Sequence, residues 1–381
     1  MAEELFYRVT VKAGPASYDL SRDLSSFTIE ETGGKPDALT INLSDPAKVF
    51  SHGLQDGMGI EVDLGTTEEH SLMFRGRIYK VDSSFPQDGV PTLRILAFDA
   101  SMAMGLRRRS RPWTDMTLSD LVRAIARNYF DPGRIKVSLM KGGDPTFRGN
   151  GVRQRDQTDL EFLHGLASSY GCLMFIVPEE DGDALHFEAE YRIMTGTPAV
   201  TLYHGRSGNP NRLLSFDANS NVAEIQLPRT LSGMDPDSGV PAEVRTAPLE
   251  LVGAAEDQFA DENMTAFRER HPDRAGRLEA MISAADAVQA ALREELGTSQ
   301  RRAVETFASE QDLGVLAANQ FSTKLYGMNA SGSADGNRLV HAQTTIDIAN
   351  VGGRFSGIWY LSEVRHVLSD QGYRTEFECQ R

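Results

Sequence analysis

Apolar residues in the first hundred positions recur on a period of two: Leu5, Tyr7, Val9 and Val11; Leu39, Ile41 and Leu43; Ile60, Val62 and Leu64; Leu93, Ile95 and Ala97. A strand turns successive side chains to opposite faces, so these runs predict half-buried β-strands. Gly33-Gly34, Asp45-Pro46 and Gln55-Asp56-Gly57 stand between them as turns. Several short antiparallel strands in this length predict a small barrel or sandwich, because closure or stacking removes exposed sheet edges.

The period then changes. Leu118, Leu121, Val122, Ile125 and Tyr129 share a helical stripe with Thr117 as its N-cap. A second helix starts at Thr158, spaced from Glu161 as in a capping box; Leu160, Leu163, Leu166 and Ala167 are its apolar positions, and Gly171 ends it. Cys172 to Val177 and Leu185 to Ala189 predict a hairpin turned at Asp181-Gly182. Strand signals return at Leu213 and at Val222 to Leu227, and Asp235 to Gly239 reads as a turn. From Pro248 to Ala334 the chain is polar and alanine-rich. A helical stripe there runs through Leu278, Ile282, Ala285, Val288, Leu292 and Leu296 to Gly297. Gly327 to Asn337 reads as a loop. Strand signals resume at Leu339, Thr344, Ile346 and Ile348, then at Trp359 to Leu368 and Arg374 to Cys379. The predicted class is α+β, mainly β. Its divisions are a first β domain at 1–105, a mixed α/β domain at 106–200, a discontinuous second β domain at 201–245 and 336–381, and a helical insertion at 246–335.

Composition narrows the function. The 381 residues are 40% hydrophobic and 24% charged, which suits a globular chain of two or more domains. A net charge of −15 removes any chain-wide basic footprint for nucleic acid or an anionic membrane. The short cluster Arg107, Arg108, Arg109 and Arg111 lacks the interleaved aromatics of a single-strand binder and predicts a solvated loop or a patch facing carboxylates. No apolar run approaches the ~20 residues that span a bilayer, and the N-terminus lacks a leader pattern, so no membrane insertion is expected. Cys172 and Cys379 form no disulfide framework; they suit small apolar strand positions and synthesis in a reducing cytoplasm.

Two Glu-x-x-His pairs, Glu161 with His164 and Glu363 with His366, have the spacing that holds paired metals in helical bundles. Glu161 is already explained as a cap, and the second pair lies in a strand-like run that turns its members to opposite faces. Asp235, Asp237 and Gly239 begin like a calcium loop, but Thr246 stands where a bidentate Glu is needed. Gly205-Arg206-Ser207-Gly208-Asn209 fails as a nucleophile elbow at its last position. These residues assign no catalytic group, no cofactor and no metal.

Three stretches, taken in order, resemble the phage late control protein D family, which includes contractile-tail hub proteins and the N-terminal part of type VI secretion VgrG spikes. They are FDASMAMGLRRRSRPWTDMTLSDLVRAIA, RQRDQTDLEFLHGLASSYGCLMFIV and GRFSGIWYLSEVRHVLSDQGYRTEFECQR. The resemblance implies two tube-like antiparallel β-barrels joined by the mixed segment, the second interrupted by the insertion. It also implies a non-enzymatic baseplate hub: a homotrimeric ring that adapts a threefold spike to the sixfold tail tube. Implied partners are a separate spike protein, a tail tube or tube-initiator protein and other baseplate proteins, with DNA or an effector passing through the lumen. The expected location is a virion or injection particle assembled in the bacterial cytoplasm. The spike is expected on a separate chain because the sequence ends at Arg381, directly after the second barrel. The assembly candidates are Thr158 and Glu161 in the helix cap, and Trp359, Tyr360, Leu361, Gly372, Tyr373, Thr375 and Phe377 in the closing segment. A tail-associated cell-wall hydrolase and a truncated type VI-like spike are the alternative readings.

Overall fold

Alternating burial along the strands builds the first body. In the computed structural model the described residues are 5–139, 143–147, 151–205, 211–220, 229–234, 241–245, individual positions within 265–291, 301–305 and 327–381. The first body comprises β1 (Leu5–Ala13), β2 (Ala16–Asp19), β3 (Leu24–Thr32), β4 (Ala38–Ser44), a single-turn helix α1 (Val49–Gly53), β5 (Gly59–Thr66), β6 (His70–Ser84) and β7 (Thr92–Phe98). Its seven strands pair antiparallel in the order β2-β1-β5-β6-β7-β4-β3. Val9, Phe27, Ile29, Leu39, Ile41, Ile60, Leu64, Leu93 and Ile95 meet in one buried cluster. β6 is absent from the periodic reading of the sequence for a physical reason. Register shifts at Val62/Asp63 and Ile78/Lys80 break its alternation, as bulges do.

The middle body contains β8 (Arg108–Trp113), β9 (Met116–Thr117), α2 (Leu118–Ala126), β10 (Ile135–Ser138), β11 (Thr146–Phe147), β12 (Val152–Thr158), α3 (Asp159–Ser169), β13 (Cys172–Glu179), β14 (Gly182–Ala189) and α4 (Glu190–Met194). Leu118, Leu121, Val122 and Ile125 of α2 and Leu163 and Leu166 of α3 share a core with Met174 and Phe187 of the β10-β14-β13 sheet. The β13–β14 hairpin turns through Glu180-Asp181, with Gly182 at φ 137. Cys172 and Cys379 are both buried and free. Burial pushes the Cys172 thiol up to about 12, with the Glu190 charge adding to it, so it behaves as a small apolar group.

The third body contains β15 (Thr201–His204), β16 (Arg212–Ser220), β17 (Arg229–Met234), β18 (Pro241–Arg245), β19 (Arg301–Glu305), β20 (Met328–Asp335), β21 (Thr345–Ala349), β22 (Gly357–Ser369) and β23 (Gly372–Gln380). Six of these close on themselves in the order β22-β21-β15-β16-β20-β23 and back to β22. The class is therefore α+β and mainly β, with one closed six-strand barrel. The expected all-antiparallel pattern is corrected at one strand: β15 runs parallel to both β16 and β21. Trp359, Leu361, Val364, Phe377, Ile346, Ile348 and Leu202 fill the barrel.

The stretch Gly327 to Asn337, expected as a loop, holds strand β20 instead, and β19 is also extended, so 246–335 is not helical throughout. β19 pairs with β17, which pairs with β18, in a small separate sheet. Glycine and serine mislead here because aromatic rings from β23 supply the missing surface. A Cβ at Gly332 would lie 2.6 Å from the Phe377 ring, and one at Gly336 1.9 Å from the Tyr373 ring. The described positions within 265–291 are helical except His271, and Val288 of the expected apolar stripe is exposed. Ile282, Ala285, Leu292, Leu296 and the expected strand Val222 to Leu227 lie outside the described residues, as does the Asp235 to Gly239 turn. No helix among the described residues is long and apolar enough to cross a membrane.

Gly336→Ala is expected to destabilise the protein by about 1–3 kcal/mol, because the ring of Tyr373 must move to admit a methyl group. Gly353→Ala, where nothing among the described residues lies within 4 Å, serves as the control in urea unfolding.

Candidate functional site

The closing-segment residues singled out in the sequence gather around β22, which changes partner along one edge. Gly357 to Tyr360 pair with β21, and Glu363 to Leu368 pair with β3 of the first body. Its other edge pairs with β23 from Tyr360 to Ser369. At the hand-over the backbone is satisfied from outside the ladders. Leu361 donates to the Thr344 carbonyl at 2.9 Å, and Gln343 donates to the Leu361 carbonyl at 2.8 Å. One strand thus closes the barrel and joins it to the first sheet.

Trp359 is fully buried, donates Nε1–H to the Phe355 carbonyl at 2.9 Å and meets Phe216 edge to face at 5.4 Å. Tyr360 and Leu361 are buried as consecutive residues just before the bulge between Leu361 and Glu363. Burial, with the Glu190 charge, pushes the Tyr360 phenol up. Gly372, at φ 99, turns β22 into β23. Phe377 packs in the barrel over Gly332. Tyr373 and Thr375 reach the seam, where the Tyr373 hydroxyl lies 2.8 Å and the Thr375 hydroxyl 3.3 Å from His366 Nδ1.

His366 belongs to a buried polar cluster that sequence reasoning did not assemble. Glu31, on the core-facing side of β3 after Phe27 and Ile29, accepts the Ala342 amide on Oε2 at 2.8 Å and lies 2.9 Å from His341 Nδ1 through Oε1. The same oxygen is 3.8 Å from His366 Nε2. Burial tends to raise the Glu31 carboxyl, but the two imidazoles and the Ala342 amide outweigh it and leave it below the usual range. His341 shifts the other way: burial lowers it, and the facing Glu31 carboxylate more than restores it. Burial drives fully buried His366 down to about 4, with Glu31 opposing and His341 assisting. The available signal was a charged residue continuing the apolar face of a strand, Phe27-x-Ile29-x-Glu31. Glu363 does not belong to this cluster. It lies on the opposite face of β22 and faces Arg365 at 3.8 Å.

Thr158 and Glu161 lie in the middle body. The Thr158 hydroxyl accepts the Glu161 amide at 3.1 Å, and Glu161 Oε2 accepts the Thr158 amide at 2.9 Å. Glu161 Oε1 also receives Arg108 at 3.0 Å. The arginine cluster is a strand, β8, rather than a loop, and it faces carboxylates. Arg109 and Arg111 approach fully buried Asp159 at 3.6 and 3.4 Å, and Asp159 also accepts Gln154 and Tyr129 at 2.8 Å each. Arg111 stacks over Trp113 at 4.3 Å. These cations are committed within the chain.

A second seam joins the first sheet to the middle body. Arg75 of β6 holds Glu61 at 2.8 Å and donates across to the Glu179 carbonyl at 2.6 Å and to Asp183 at 3.3 Å. Nearby, Asp99 caps a short 3-10 helix (Ala100–Gly105) by accepting Ser101 N at 3.0 Å and Oγ at 2.6 Å. Burial raises its carboxyl to about 6 against those hydrogen bonds, and the Asp183 charge adds to the rise.

No protein-family profile matches the chain, and no curated protein sequence matches it. Solved structures do. A tail protein from Neisseria meningitidis MC58 superposes with a TM-score of 0.61 at 13% identity, over 98% of this chain and 96% of that one. The 43 kDa tail protein of prophage MuSo2 from Shewanella oneidensis gives 0.61 at 14% identity, over 99% and 98%. An E. coli component of the type VI secretion system, described as similar in structure to the T4 bacteriophage tail proteins gp27 and gp5, gives 0.55 at 11% identity over 99% and 76%. The class of protein is thus defined by architecture: the chain has the fold of these phage tail and type VI secretion proteins. That fold agrees with the resemblance to the late control protein D family, and at such identities the likeness concerns the fold alone.

Thr158→Ala is expected to cost about 1 kcal/mol by removing the cap, with Glu161 left to Arg108; equilibrium unfolding of the variant measures it. Asp99 provides a pH test. Its folded pKa of about 6 lies above the unfolded value, so its contribution is fully present below the unfolded pKa of ~3.9 and is lost as pH rises through 6. Asp99→Asn is expected to flatten the stability profile between those pH values by ~1–2 kcal/mol, discounted for partial solvent access at the cap. Urea midpoints across the window give the measurement.

Proposed function

We propose that this chain is a structural hub in the baseplate of a contractile phage tail or a related injection machine, and that its function is binding rather than catalysis. The observation that carries the reading is the superposition of nearly the whole chain on two tail proteins of nearly the same extent, one of them from a prophage. Fold likeness alone does not assign function. The joining of the two β bodies supports the reading independently, because a β22 shared between barrel and first sheet makes one mechanical unit of them.

In this reading the seven-strand sheet and the six-strand barrel act as two tube-like bodies per chain. Three chains close a ring through head-to-tail contacts and present six such bodies to a sixfold tail tube, while the threefold axis receives a spike carried on a separate chain. The β13–β14 hairpin ties the middle body to the seven-strand sheet through Arg75. A tube or tube-initiator protein and other baseplate proteins are the remaining partners. The net charge of −15 suits a lumen that repels DNA phosphate in transit. The particle would assemble in the bacterial cytoplasm.

Native mass measurement and electron microscopy of the purified protein, alone and with its spike, test the reading. A threefold ring with six wall densities around an open channel is expected. A twofold dimer, or a monomer that stays single in the presence of the spike, would overturn it.

A further inference from the structure

We propose that Glu31, His341 and His366 form a site for a first-row divalent metal ion of the zinc class, which ties the first sheet to the barrel. One carboxylate oxygen and one nitrogen of each ring lie within 4.8 Å of one another, and the three residues come from β3, the 336–344 connection and β22. Zinc holds nitrogen and oxygen donors at ~2.0–2.1 Å, which separates neighbouring donors in a tetrahedral site by roughly 3.3–3.4 Å. The observed separations from Glu31 Oε1, 2.9 Å to His341 and 3.8 Å to His366, bracket that value. Shifts of about half an ångström would bring these two donor pairs to ligation spacing.

The second, independent observation is His366 Nε2. It is fully buried, has no hydrogen-bond partner among the described residues and faces the Glu31 carboxylate across a gap too long for a hydrogen bond. The Val340 carbonyl lies near enough to favour the protonated ring, yet it does not meet hydrogen-bond geometry with Nε2. Without a cation, either tautomer carries a penalty. A proton on Nε2 is an orphaned buried donor, and a lone pair there faces a carboxylate. A cation between the two resolves both cases. The far side of the ring already has the partners that ligation requires. Nδ1 is placed against the hydroxyls of Tyr373 and Thr375, the kind of outer contact that fixes the tautomer of a ligating histidine.

Two imidazoles and one carboxylate select zinc, iron, nickel or copper over the hard, oxygen-seeking calcium and magnesium. Three protein donors leave a fourth position for solvent. The His341 side chain, 38% exposed, supplies an entry path to ligands that are otherwise buried. The site is built from seam geometry alone and does not depend on the hub reading.

The test uses the full chain after chelation and dialysis, titrated with Zn²⁺ and, for its visible absorption, with Co²⁺. One equivalent per chain is expected, with a cobalt band in the range of low coordination numbers and a higher unfolding midpoint in the metal-bound form. Glu31→Gln and His341→Ala are expected to lower affinity by about tenfold or more. Glu363→Gln is expected to leave it unchanged. Circular dichroism establishes that each variant is folded, and His341→Gln replaces His341→Ala if the latter unfolds. Folded, metal-free protein that takes up neither ion would overturn the proposal. So would uptake that is unaffected in both folded ligand variants.

Discussion

Backbone groups taken out of water must find partners, and β22 is where this structure meets that demand for two sheets at once. The thirteen residues of the strand keep β23 on one edge throughout most of their length and divide the other edge between β21 and β3. A bulge after Leu361 marks the exchange, and the 343–344 backbone fills the gap it opens. Closing the barrel and attaching the first sheet are therefore one event. The same register places Val364, His366 and Leu368 inward and Glu363 and Arg365 outward, and so it also decides which polar groups are buried at the seam.

Charge taken from water in small, well-partnered amounts fixes the seam between the first sheet and the middle body and the interior of the middle body itself. Arg75 commits its guanidinium to Glu61 within the first sheet and, across the seam to the middle body, to the Glu179 and Glu180 carbonyls and the Asp183 carboxylate, and Asp159 collects two arginines, a glutamine and a phenol inside the middle body. Buried carboxylates of this kind are weak sources of net stability, since desolvation offsets most of the attraction. Their effect is to fix geometry: removing one partner leaves an uncompensated charge, which penalises any other arrangement of the bodies. For a chain proposed as a structural hub, such fixed seams suit the role better than a larger apolar interface that could slide.

Edges are handled economically. Among the described residues the long sheet ends at β2, four exposed residues, and a short edge strand offers little length for unwanted pairing. Its other end is consumed by the barrel. Gly332 of β20 and Gly336 just after it are likewise covered by Phe377 and Tyr373 and not left as bare backbone.

What the sequence determined by itself was local. The period-two runs of β1, β4, β5 and β7, the Thr117 and Thr158 caps, the stripe of α2 and the two-residue turn before Gly182 each depend on residues a few positions apart, so they were legible in the chain. The tertiary structure decided everything that rests on distant partners. β20 is a strand because β16 and β23, distant in sequence, pair with it and the Phe377 ring covers Gly332. Arg108, Arg109 and Arg111 lie in a strand because β12 pairs with it, and Asp159 and Glu161 receive their side chains; β15 is parallel to the β21 and β16 that flank it. Glu31 and His366 lie near opposite ends of the chain and meet only because β3 and β22 share a ladder, a juxtaposition that no local spacing records. Propensity and capping act through neighbours along the chain, whereas burial, and the chemistry it imposes on a carboxylate or an imidazole, is set by whatever the fold brings alongside.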